Sequence, residues 1–94
     1  MPRLLTDDQI GERLHKLNGW ERRRRAIRKK YTFETFMDGI AFVDKVAATA
    51  EKMEHHPDIK VVWTTVTLSI QTHSEGGLTS WDFQLAKAID EIAQ

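Results

Sequence analysis

Val61-Val62-Trp63-Thr64-Thr65-Val66-Thr67-Leu68-Ser69-Ile70-Gln71-Thr72 is the stretch on which the fold turns. β-branched residues dominate it, and Val66, Leu68 and Ile70 alternate with Thr67, Ser69 and Gln71. Period-two alternation gives one apolar and one polar face, which marks a half-buried strand. A shorter strand precedes it near residues 60–63.

On the N-terminal side, Phe36, Ile40, Val43, Ala47 and Ala50 recur at spacings of four and three, so a helix is expected over residues 34–54. Pro57 stops it, because the residue before a proline is driven out of the α region. Between residues 20 and 33, Ile27, Tyr31 and Phe33 share one parity with charged residues between them. This reads as two strands with a turn inside residues 22–25. Earlier still, Thr6-Asp7-Asp8-Gln9 has the form of a capping box, Ile10, Leu14 and Leu17 form a short apolar stripe, and Asn18-Gly19 ends that helix.

On the C-terminal side, Gly76-Gly77 breaks the chain and Thr79-Ser80-Trp81-Asp82 caps a last helix striped by Leu85, Ile89 and Ile92. The order is helix, two strands, helix, two strands, helix. Short turns between strands imply an α+β two-layer domain, a four-stranded antiparallel sheet with three helices packed on one face.

Composition narrows the class. With 94 residues there is room for a single domain, residues 1–94, and 40% hydrophobic against 30% charged residues is the balance of a globular chain. Fourteen basic residues cancel fourteen acidic ones, so no whole-molecule field attracts nucleic acid or an anionic membrane. The absence of cysteine removes disulfides and thiolate chemistry. Acidic residues follow Leu5 before any apolar leader can form, and no stretch approaches a membrane span, so a cytoplasmic protein is expected. A domain this small gains from covering more apolar area, so a homodimer or homotetramer is expected too.

Imidazole exchanges protons near neutral pH, which makes the histidines the first candidates for chemistry. His15 sits among exposed charges on the first helix and reads as surface. His55 and His56 fall where the long helix must end. Glu51, four residues before His55, is placed to orient that ring and favour its charged form, while Lys52 stands in the same relation to His56 and favours its neutral form, which would set an acid beside a base. The plain alternative is a solvated pair stabilised by the helix dipole. His73 is read as closing the β-branched strand beside a glycine-containing loop, a common location for functional side chains. Asp82, at the third position of the last helix, is accounted for by capping alone.

Two rival readings come from composition. Three histidines with Asp82 or Glu51 make a zinc-like donor set, but adjacent helical residues diverge by about 100°, so His55 and His56 share an ion only if the helix has unwound. Seven basic residues within positions 22–30 could meet phosphates, yet no aromatic residues interleave with the arginines, and a solvated hairpin is favoured over nucleic-acid binding.

Glu51-Lys52-Met53-Glu54-His55-His56-Pro57, then Trp63, Thr72-His73 and Asp82, closely resemble the signature of the pterin-4a-carbinolamine dehydratases. Asn18-Gly19-Trp20, the Phe33 to Phe36 entry into the long helix and the final helix extend the resemblance over nearly the whole chain. It implies a hydro-lyase that removes water from 4a-hydroxytetrahydropterin to give quinonoid dihydropterin, in support of tetrahydrobiopterin recycling. No metal and no bound cofactor are implied, and the substrate would come from a pterin-dependent aromatic amino-acid hydroxylase.

The same resemblance implies His55, His56 and His73 as the catalytic set, supported by Glu51 and Asp82. Glu54, Gln71, Thr72 and Ser74 join the histidines as substrate contacts, and Trp63 matches the signature aromatic as a ring-stacking candidate. Trp81 reads as core or interface. Two departures stand out: residues 22–25 replace a glycine-containing turn, and Ser74 replaces a glutamate common after the third histidine. Some members of the family partner a homeodomain transcription factor, so a dimerising coactivator module on the same fold is the alternative function.

Overall fold

A computed structural model describes residues 2–94. The elements are α1 (Asp7–His15), β1 (Glu21–Arg23), β2 (Ala26–Thr32), α2 (Phe36–Met53), β3 (Asp58–Val62), β4 (Thr65–Ile70), a 3₁₀ turn (His73–Glu75) and α3 (Ser80–Ala93). The four strands form one antiparallel sheet in the order β1-β2-β4-β3, so the expected α+β layout is present.

β4 lies inside the sheet, flanked by β2 and β3, and its alternation is realised: Val66, Leu68 and Ile70 are fully buried. They meet Ile27 of β2, Phe42 and Val46 of α2, and Phe83, Leu85, Ala86 and Ile89 of α3 in one core. Both hairpins turn in two residues, Arg24-Arg25 and Trp63-Thr64, with Arg24 and Trp63 at positive φ. Trp63 therefore belongs to a turn rather than to a strand.

α1 starts with the expected capping box, Thr6 and Gln9 bonding each other's backbone N–H, but it ends at His15 rather than at Asn18. α2 departs from its expected stripe. Its buried residues are Gly39, Phe42, Val46 and Ala50, while Phe36 is exposed and Ala47 faces solvent. The helix is apolar on more than one side, so periodicity alone had two faces to choose from. Gly39 lies on the face that packs inward: a β-carbon there would sit 3.5 Å from both Phe33 and Val66.

β2 carries a charge onto the core side. Lys29 follows Ile27 by two and precedes Tyr31 by two, and its ammonium lies 2.8 Å from Asp90 of α3. Asp90 also accepts from the Trp20 indole at 3.0 Å and from the Tyr31 hydroxyl. Three donors on one carboxylate tie the last turns of α3 to the sheet. Among the described residues no helix is long and apolar enough to cross a membrane.

Candidate active site

The site forms where the end of α2 meets the start of α3. α2 stops because Glu54 takes a left-handed conformation, φ 53° and ψ 39°, and its backbone N–H bonds back to Ala50 and Glu51 carbonyls. The His55 backbone N–H also returns to Ala50, at 3.0 Å. This reversal one residue before the pair separates the two rings. His55 turns inward and is buried, while His56 stays outside with its side chain 62% exposed.

His55 meets Asp82 at 2.6 Å between Nε2 and Oδ1. Asp82 is completely buried in the first turn of α3, and its other oxygen accepts from the Thr79 backbone N–H at 2.8 Å and from the Thr72 hydroxyl at 2.9 Å. An ionised carboxylate only accepts, so the His55 Nε2–H donates to it. With the Thr72 proton given to Asp82, the Thr79 hydroxyl donates to Thr72 Oγ1 at 2.8 Å. Every buried polar side-chain atom among the described residues has a partner. The negative end of α2 thus lies beside the imidazole and the positive end of α3 beside the carboxylate, an arrangement that favours a charge-assisted bond.

The expected pairing of Glu51 with His55 is corrected. Glu51 bonds His56 Nε2, because the left-handed residue at 54 breaks the helical register that would have stacked positions 51 and 55. The partners expected to tune the pair change with it: each histidine has its own carboxylate, buried for His55 and exposed for His56.

His73 does not close β4. The strand ends at Ile70, Thr72 bridges to Gly77, and His73 opens the 3₁₀ turn under the Thr72 carbonyl, which accepts from Glu75 and Gly76, both at 3.0 Å. His73 and Ser74 are exposed there, two residues past half-buried Gln71. The chain links this turn to the buried cluster through Thr72. The structure thus joins His55, Asp82 and Thr72 directly and pairs Glu51 with His56. Trp63 is placed apart, 77% exposed at the β3–β4 turn.

A cavity of about 330 Å³ opens beside His55, lined by Met53, Glu54, His55, Trp81 and Gln84. Trp81 lies edge-on to the His55 ring with centroids 6.0 Å apart. Sequence reasoning missed Trp81 and Gln84 as site residues. The available signal was their position on the capped first turns of α3, around Asp82. Among the described residues no cluster of three or more His, Cys, Asp or Glu is arranged to hold a metal ion.

Residues 3–92 match the family model described as pterin 4 alpha carbinolamine dehydratase. Relatives from Mycobacterium sp. strain KMS and Roseiflexus castenholzii, both provisionally named pterin-4-alpha-carbinolamine dehydratases, are 52% identical over 89 and 92 residues. The alignments cover 95% of this chain and 95% of the first relative, and 98% and 99% for the second. A crystal structure from Brucella melitensis, titled transcriptional coactivator/pterin dehydratase, superposes with a TM-score of 0.94 at 32% identity, over 98% of this chain and all of that one.

Proposed function

Because the chain belongs to the pterin 4 alpha carbinolamine dehydratase family, whose members are hydro-lyases, we propose that it eliminates water from a 4a-hydroxytetrahydropterin by histidine acid-base catalysis. The observation that carries this reading is the buried Asp82 holding His55 at 2.6 Å beside a cavity. Asp82 fixes the ring and offsets the charge when His55 carries a proton, which suits His55 to protonate the departing 4a-hydroxyl. As the C4a–O bond breaks, the N5–H bond electrons form the N5=C4a double bond, and His56 receives the N5 proton. Glu51 backs His56, and its exposure lets the pair pass that proton to water. His73, on the 3₁₀ turn, completes the set. General acid-base assistance of this kind contributes on the order of 10²–10⁴-fold.

Glu54 and the segment Gln71, Thr72, His73 and Ser74 are the remaining substrate contacts in this reading. Its place is cytoplasmic, in tetrahydrobiopterin recycling, with a pterin-dependent aromatic amino-acid hydroxylase supplying the substrate. Homodimeric or homotetrameric assembly is supported by the exposed apolar side chains Phe36, Met37, Ile59 and Val62. The test is to generate 4a-hydroxytetrahydropterin and follow quinonoid dihydropterin with and without the purified chain. Acceleration that survives exhaustive chelation is expected. No acceleration over spontaneous dehydration would overturn the proposal.

A further inference from the structure

We infer that Trp81 is the stacking wall of the pterin pocket, a specificity-determining contact in the reaction proposed above, on which this assignment rests. The first turn of α3 presents two neighbours to the same histidine. Asp82 is turned fully inward to hold the ring, and Trp81, about 100° around the helix, lines the cavity beside it. Its backbone is pinned by the cap, with its N–H on the Thr79 hydroxyl at 3.3 Å. Its indole touches the edge of His55 yet remains 42% exposed.

Tryptophan is highly buried on average, whereas Trp81 keeps 42% of its surface open. Here Trp81 lines a cavity whose other lining residues are Met53, Glu54, His55 and Gln84, one apolar side chain and three polar ones. One aromatic face with polar groups around its rim matches a planar heterocycle that has polar edges. The π-face takes the rings, and the Glu54 carboxylate can accept the N–H donors of a 2-amino-4-oxo pyrimidine edge. Trp63 also has an open indole, but it stands on the two-residue β3–β4 turn and does not line this cavity. Its match to the signature made it the aromatic candidate from sequence, whereas the cavity lining favours Trp81 for the role.

The experiment measures affinity for a stable dihydropterin, the quench of tryptophan emission it causes, and kcat and KM for dehydration, in wild type and in Trp81→Phe, Trp81→Leu and Trp81→Ala. Loss of a heterocycle–aromatic stack weakens binding by about tenfold or more. Trp81→Phe is expected to stay within about threefold of wild type, since a smaller ring still stacks. Trp81→Leu and Trp81→Ala should raise Kd and KM by about tenfold while kcat changes little, because the acid-base groups are intact. If Trp81→Ala does not fold, the Phe and Leu variants decide: both keep the apolar bulk, and only one keeps a π-face. Equal affinity in those two overturns the assignment, as does loss of affinity in Trp63→Ala with none in the Trp81 variants. Wild-type dehydration with unaffected Trp81 variants sinks this inference alone, whereas a wild type that neither binds nor dehydrates pterin sinks the functional reading beneath it.

Discussion

Asp82→Asn separates the structural role of the buried carboxylate from its role toward His55. Asp82 accepts three bonds, at 2.6 Å from His55, 2.9 Å from Thr72 and 2.8 Å from the Thr79 backbone. Deleting it with alanine strands all three donors in the interior and removes a helix cap. A broken buried charge pair alone costs about 3–5 kcal/mol, a large part of the roughly 5–15 kcal/mol that keeps a domain folded. Asparagine keeps the shape and one acceptor oxygen. With that oxygen on Thr72 and Thr79, its NH₂ faces His55 Nε2, which must then accept. The ring is forced into the tautomer protonated on Nδ1 and loses the carboxylate that offsets its charge. Stability should fall by only about 1–2 kcal/mol, while kcat falls by about 10²-fold or more. Urea unfolding gives the first quantity and steady-state dehydration the second. An asparagine variant with wild-type kcat would refute the reasoning, since His55 would then work in either tautomer.

Three further substitutions probe the frame around the site. Leu68→Ala, at a fully buried position on interior strand β4, should lower unfolding free energy by about 2–5 kcal/mol in urea denaturation. Glu54→Gly relieves the left-handed strain at the end of α2 and should raise stability by about 0.5–1 kcal/mol, with a higher KM from the lost carboxylate; a destabilised variant would contradict it. Burial, then the hydrogen bond to Asp90 and that carboxylate's charge, push the Tyr31 phenol well above its ordinary value. The folded state resists its ionisation, so Tyr31 contributes fully below about pH 10 and loses its contribution as pH rises beyond that. The stability difference between wild type and Tyr31→Phe should therefore shrink with rising pH in that range, and a difference that stayed constant would contradict the assigned cause.

What the sequence disclosed follows from which interactions are local. β4 was legible because alternation within six residues reports a face directly, and both capping boxes were legible because each spans four residues. The buried face of α2 was not, since two apolar stripes compete on one helix and the choice of the face carrying Gly39, Phe42, Val46 and Ala50 depends on long-range packing against the sheet and α3. Lys29 on the core side reads as a surface lysine until Asp90, 61 residues away, is placed against it. The histidine pair was found by its motif, but its partners were not. Helical spacing assigned Glu51 to His55, whereas one left-handed residue at 54 hands His55 to Asp82, 27 residues on. Asp82 is fully explained locally as a cap, so its second role is invisible without the fold. Trp81 is hidden for the same reason, because its neighbour across the cavity belongs to another helix.

The central claim is that imidazoles on this scaffold dehydrate a 4a-hydroxypterin, and single-histidine variants test it most directly. Dehydration rates of His55→Ala, His56→Ala and His73→Ala, each verified as folded, are compared with wild type and with the exposed α1 variant His15→Ala. Each of the first three is predicted to lose about tenfold or more, and His15→Ala to match wild type. Full activity in all three would contradict the account.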